Sequence, residues 1–173
     1  MAPRGRKHIH IRVICDVCAS VEKIMLSAKK LQALIADGTI GIEPMLEEIH
    51  GPAVKLHLGD WYQMQQGKEI DLDGLRSLAA PIKIDAEELH ILPNQMVLVK
   101  TLEHIRMPDG YVGWMETHGG AANVGLQVHL TDAHLDPGTD TRPWLQLKNQ
   151  SDHPLVMRRG TYIAKMYVHE LLD

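Results

Sequence analysis

The amino-acid sequence predicts a mainly β domain, a distorted barrel or jelly-roll-like sandwich entered through one N-terminal helix. Three observations predict it. Short apolar runs punctuated by Gly and Pro recur between residues 54 and 168, a single early segment has helical spacing, and Phe is absent while nine Met join Leu, Ile and Val as core candidates. β-Branched side chains favour strands over helices. Flexible Met side chains suit the filling of irregular gaps.

The first element is a leading strand from His8 to Ile14, where polar and apolar residues alternate and place the isoleucines on one face. A helix follows. Ser27 is its N-cap, Leu31, Leu34 and Ile35 fall on one face, and Gly38 stands where a left-handed C-cap is wanted. The apolar runs then read as strands at Val54 to Leu58, Pro81 to Ile84, Met96 to Leu102, Gly125 to Leu130, Trp144 to Leu147, and Tyr162 to Val168. Gly67 to Ala80 has no sustained period and reads as a loop or a short helix. A chain of 173 residues buries one core, so residues 1–25 are expected to be an N-terminal extension, a strand packed on the domain, and residues 26–173 the domain itself.

Composition excludes several classes. With 45% hydrophobic and 23% charged residues the chain matches folded globular proteins. No apolar run approaches the roughly 20 residues of a membrane helix, and no apolar stretch follows the basic N-terminus as in a secretory leader. Cys15 and Cys18 are the only cysteines, which points to a reducing, cytoplasmic setting. A net charge of -4 gives no general attraction to nucleic acid, although Arg4, Arg6, Lys7 and Arg12 make the first dozen residues basic. Without interleaved aromatics, that arm reads first as a solvated segment.

An ordered series of short motifs carries more information than any one of them. Leu26-Ser27, Gly38 and Ile42-Glu43-Pro44 are followed by Val54-Lys55-Leu56-His57-Leu58-Gly59, then Leu92-Pro93, Thr101, Glu103, Ile105 and Pro108. Gly125-Leu126, His129, Thr131, Leu135-Asp136-Pro137-Gly138, Asn149, Pro154, Gly160 and Ile163-Ala164 complete the set. In order and spacing this series resembles the dCTP deaminase branch of the trimeric dUTPase superfamily. The resemblance implies a dUTPase-like barrel, a homotrimer, and deoxynucleotide sites shared between neighbouring subunits.

Hydrolytic deamination of cytosine needs a positioned water, a carboxylate that shuttles its proton, and donors for the charge developing on the ring. The family's Glu lies ten residues beyond the Asp of Asp-Pro-Gly, and here that position is Gln146. A carboxamide keeps the size and hydrogen bonding but cannot take up a proton at neutral pH.

The family's Gly-Arg-Ser-Ser-Leu-Ala-Arg motif aligns with Thr117 to Asn123, so both arginines and both serines are missing. Their loss removes bidentate, charge-assisted grips on phosphate. His118, Gly119, Gly120 and Asn123 remain as nucleotide-binding candidates. Gly119-Gly120 can present backbone N–H groups to an anion or simply form a tight turn.

Thr131, Asp132, Tyr162 and Lys165 are further nucleotide-binding candidates: Asp132 and Ala133 replace the Ala-Gly that approaches the base, and Lys165 replaces the Gln of Ile-Ala-Gln. Asp136 matches the residue that holds the attacking water in a dUTP diphosphatase, whose nucleotide comes with Mg²⁺. It also opens an Asp-Pro-Gly turn, a common structural role.

Cys15-x-x-Cys18 with His8 and His10 offers zinc ligands, but only four residues separate the two pairs and His-x-His splays along a strand. Ordinary thiols are the favoured reading over zinc. Two functions remain open: a deoxynucleotide-binding protein with altered or lost deaminase activity, or a catalytically silent homotrimer with a structural or regulatory role, for example with an assembly partner, in the cytoplasm or in a virion if the chain is viral.

Overall fold

The computed structural model describes residues 25–64, 82–83, 88–129 and 132–172. The expected leading strand, the Cys15, Cys18, His8 and His10 group, the segment from Gly67 to Ala80 and Thr131 lie outside the described residues. Of the N-terminal extension only Met25 is described, bridged to His169.

Helix α1 spans Ala28–Ala36 with Leu31 and Leu34 buried. The Lys30 N–H donates to the Ser27 hydroxyl at 3.3 Å, and Gly38, at φ +77°, donates its N–H to the Ile35 carbonyl at the other end. The strands are β1 (Gly41–Glu43), β2 (Ala53–Met64), β3 (Ile82–Lys83), β4 (Leu89–Ile91), β5 (Met96–Thr101), β6 (His104–Arg106) and β7 (Tyr111–Thr117). After a five-residue helix α2 (Gly119–Asn123) come β8 (Leu126–Val128), β9 (His134–Leu135), β10 (Asp140–Thr141), β11 (Trp144–Asn149), β12 (Leu155–Met157) and β13 (Tyr162–Glu170).

The main sheet runs β8-β11-β5-β2-β13-β7-β9, with β3 beside β2; two small sheets, β1-β6-β10 and β12-β4, accompany it. It curls back on itself. The Val128 N–H on the edge strand β8 donates to the Thr117 hydroxyl on β7, the strand next to the opposite edge, at 2.8 Å. Leu56, Leu58, Val99, Leu145, Leu147, Ile163 and Met166 are fully enclosed, and Met107, Met115 and Met157 join them as gap-fillers.

The apolar runs mark β2, β5, β8, β11 and β13, but Gly59 is not the strand end that its neighbours suggest. Residues 53–57 of β2 pair with β13, and from Leu58 onward the strand pairs with β5. A Cβ at Gly59 would lie 2.5 Å from the Lys100 carbonyl oxygen and 2.7 Å from that of Thr101. Glycine therefore permits the crossing rather than ending the strand.

Asn149 fastens one end of β11. Its buried amide donates to the Ile91 and His153 carbonyls, both at 2.8 Å, and its oxygen accepts from the Ser151 N–H and hydroxyl. No helix among the described residues is long and apolar enough to cross a membrane. Asn149→Ala leaves several enclosed groups unpaired and is expected to cost about 2–4 kcal/mol in denaturant unfolding. Ser27→Ala, at an exposed cap, is expected to cost about 0.5–1 kcal/mol.

Candidate functional site

Beside β11, β5 and β9 lies an open cavity of about 240 Å³ lined by Leu98, His129, Asp132, Trp144 and Gln146. Gln146 reaches it because alternate β11 residues point the other way: Leu145 and Leu147 are buried in the core. His129 follows β8 with φ +49°, a conformation non-glycine residues seldom adopt, and its N–H donates to the Gln146 carbonyl at 2.8 Å. Neither ring nitrogen of His129 has a hydrogen-bond partner among the described residues, although both atoms are buried. Burial holds this imidazole below its ordinary value of 6.5, against the pull of the Asp132 carboxylate.

A second cavity, also about 240 Å³, lies between β2, β13 and the loop from Pro44 to Pro52. On its wall the His57 Nδ1 lies 2.6 Å from Glu103 Oε1, and the His57 backbone N–H donates to Oε2 at 2.9 Å. Both side chains are almost completely enclosed. The other ring nitrogen, Nε2, is turned toward Glu47, whose Oε1 is 3.5 Å away. Glu47 also pairs with Lys55, which raises the lysine and lowers the carboxylate from their ordinary values through the bond they share. Tyr162 and Lys165 complete the wall.

The structure thus divides the sequence-predicted residues. Asp132 and Gln146 share the first cavity; Tyr162 and Lys165 share the second, with the His118 ring packed against Tyr162 at a centroid distance of 4.0 Å. Gly119-Gly120 opens helix α2 instead of a bare turn, and a Cβ at Gly120 would meet the His118 ring at 2.9 Å. Asn123 is exposed at the end of that helix. Asp136 is exposed too, in a turn closed by the Thr139 N–H on its carbonyl, and does not line the Gln146 cavity.

Sequence reasoning passed over His129, Glu47, His57 and Glu103 as site residues. Lys55 and His57 do carry a signal: polar residues two apart in an apolar strand share a face. Nothing local marks Glu47 or the isolation of His129.

A solved 2'-deoxycytidine 5'-triphosphate deaminase from Agrobacterium tumefaciens superposes with a TM-score of 0.65 at 14% identity, over 86% of this chain and 48% of that one. The chain therefore spans about half of that solved relative. A mutant dUTPase of Staphylococcus bacteriophage 80alpha, solved with dUpNHpp, superposes with a TM-score of 0.53 at 12% identity, over 79% of this chain and 85% of that one. These likenesses define a dUTPase-like fold.

A dCTP deaminase of Pectobacterium atrosepticum is 30% identical over 156 residues, covering 82% of this chain and 81% of the relative. Residues 25–171 match the family model described as DCD, dCTP deaminase-like. The chain belongs to the dCTP deaminase-like family.

The His129 environment has a measurable consequence. The unfolded chain binds this proton more tightly than the folded one, so acidification through 6.5 favours unfolding, and the penalty is absent at higher pH. His129→Asn, which suits positive φ, should narrow the fall in melting temperature between about pH 7.5 and about pH 5.5. An unchanged fall would show that His129 is solvated.

Proposed function

We propose that the chain binds a deoxynucleotide and has lost the deamination of dCTP that its family name describes. The observation that carries this is His129: a partly buried imidazole whose two ring nitrogens are buried and unpaired among the described residues, set beside Gln146 and Asp132 in one cavity. Buried polar groups are nearly always satisfied, and a nucleobase edge supplies both donors and acceptors to a site of this kind. Asp132 and the Gln146 amide add hydrogen-bonding groups to the same wall.

The chemistry of deamination has no proton carrier at position 146. Gln146 cannot take a proton from water, and His129, held below its ordinary value by burial, is a weaker acceptor than a free imidazole. The arginine and serine side chains that the family places along Thr117–Asn123 are replaced as well. Binding without turnover follows.

The first cavity holds base-recognising groups and the second holds cations, yet the two share no lining residue. A homotrimer that sets one copy's first cavity against a neighbour's second would complete a nucleotide site. In this reading Mg²⁺ arrives with the nucleotide, held by phosphate oxygens and water; among the described residues no three His, Cys, Asp or Glu side chains gather at metal-ligand distance.

Titration calorimetry with a panel of deoxynucleoside mono-, di- and triphosphates in Mg²⁺ should give saturable, base-selective heat, while ammonia release from dCTP stays at background. Gln146→Glu alone should not restore release, because the Thr117–Asn123 segment is unchanged. A stable assembly that binds none of the panel would instead establish a silent scaffold, and robust wild-type ammonia release would refute the loss of activity.

A further inference from the structure

Lys55 on β2 and Lys165 on β13 are direct cross-strand partners in the antiparallel ladder. Like charges directly opposite each other on one face of a sheet repel, and such a pair persists only where an anion or solvent offsets it. His57 and Ala53 share this face with Lys55, opposite Tyr162 and Tyr167 in the same register. All six line the cavity beneath the Pro44–Pro52 loop.

The offset is local and unequal. Glu47, half-exposed on the covering loop, reaches both Lys55 Nζ and His57 Nε2. Lys165 faces Glu116 across the β13–β7 ladder, and its ammonium stands 5.1 Å from the Tyr167 ring centroid. Lys55 stands 5.2 Å from the ring centroid of Tyr162. Glu103 is committed to the far side of His57, while Glu48 and His50 lie on the loop. Lys55, Lys165 and His57 all border this one cavity of about 240 Å³, with Glu47 the acidic side chain that bridges two of them.

We infer that the paired lysines Lys55 and Lys165, with His57 Nε2, form a seat for a polyphosphate chain, and that Glu47 is the chain's own anion competing for it. The Glu47 carboxylate stands in for one phosphoryl group: it uses the Lys55 and His57 contacts that a ligand oxygen would use. Binding therefore exchanges one anion for another and displaces the covering loop. The lysines restore phosphate affinity by point charge, in place of the bidentate arginine grip missing from the Thr117–Asn123 segment. This deepens the proposed nucleotide reading, but its geometry does not depend on the His129 cavity.

The test uses the full chain and inorganic tripolyphosphate, which has the charge of a nucleotide tail and no base. Calorimetric titration should show saturable binding that weakens with added salt. Glu47→Gln should tighten it about threefold or more, the scale of an exposed ion pair, and Lys55→Met should reduce it at least as far. A merely structural Glu47 would not give tighter binding on removal. Circular dichroism melting confirms that each variant is folded, and Lys165→Met gives an independent second variant from the opposite strand.

No tripolyphosphate binding by wild type or Glu47→Gln overturns the inference, as does binding indifferent to all three substitutions. Deoxynucleotide binding without tripolyphosphate binding would leave the nucleotide reading standing and remove the seat. Tripolyphosphate binding with no preference for any nucleotide would keep the seat and remove the nucleotide reading.

Discussion

The architecture depends on one close backbone contact, the approach of Gly59 to the Lys100 and Thr101 carbonyls. There β2 passes from its pairing with β13 to its pairing with β5, and a single strand becomes the centre of a curled sheet. Any side chain at this point would push the two backbones apart. The crossing also decides where chemistry can occur. The β13 side of β2 holds Lys55, His57, Tyr162 and Lys165, whereas the β5 side leads through β11 to Gln146. One chain consequently presents two separate cavities.

Two histidines show how the same residue type is used differently in these cavities. His57 is almost fully enclosed, and Glu103 bonds to both its backbone and its ring, so the ring has one fixed orientation and one nitrogen left for the cavity. Among the described residues His129 has no such support: burial disfavours its charged form, and its backbone occupies a left-handed conformation beside Gln146. Strain and an unpaired polar group at one residue are costs that a fold tolerates where a ligand compensates for them. Replacement of the family's Glu by Gln146 is consistent with that division, since a neutral amide can hold a base without transferring a proton.

Much of the fold was legible because the strands obey simple patterns. Ser27 and Gly38 bracket the helix as capping chemistry requires, and the alternation in β11 separates Leu145 and Leu147 from Gln146. The short strands β1, β4, β6, β9, β10 and β12 were not legible, because two or three residues carry no period, and the longer β7 was missed where Gly113 interrupts its alternation. Gly59 misled for a physical reason: glycine marks strand ends and tight crossings alike, and only the neighbouring strand distinguishes them. Gln146, Asp132, Tyr162 and Lys165, which line the two cavities, stand out in the sequence by resemblance to a family pattern. The pairing of Lys55 with Lys165 depends on register across more than a hundred residues, and the role of Glu47 depends on how a loop folds back. Neither is written locally.

The central claim is that neighbouring copies join these two cavities into one deoxynucleotide site, and subunit mixing tests it most directly. Gln146→Leu removes a group from one half and Lys165→Met removes one from the other; each variant alone should lose most nucleotide binding while keeping its assembly. In randomly mixed trimers, about a quarter of the shared sites should pair two intact halves, so binding should reappear on mixing. A mixture that binds no more than its components would contradict a shared site.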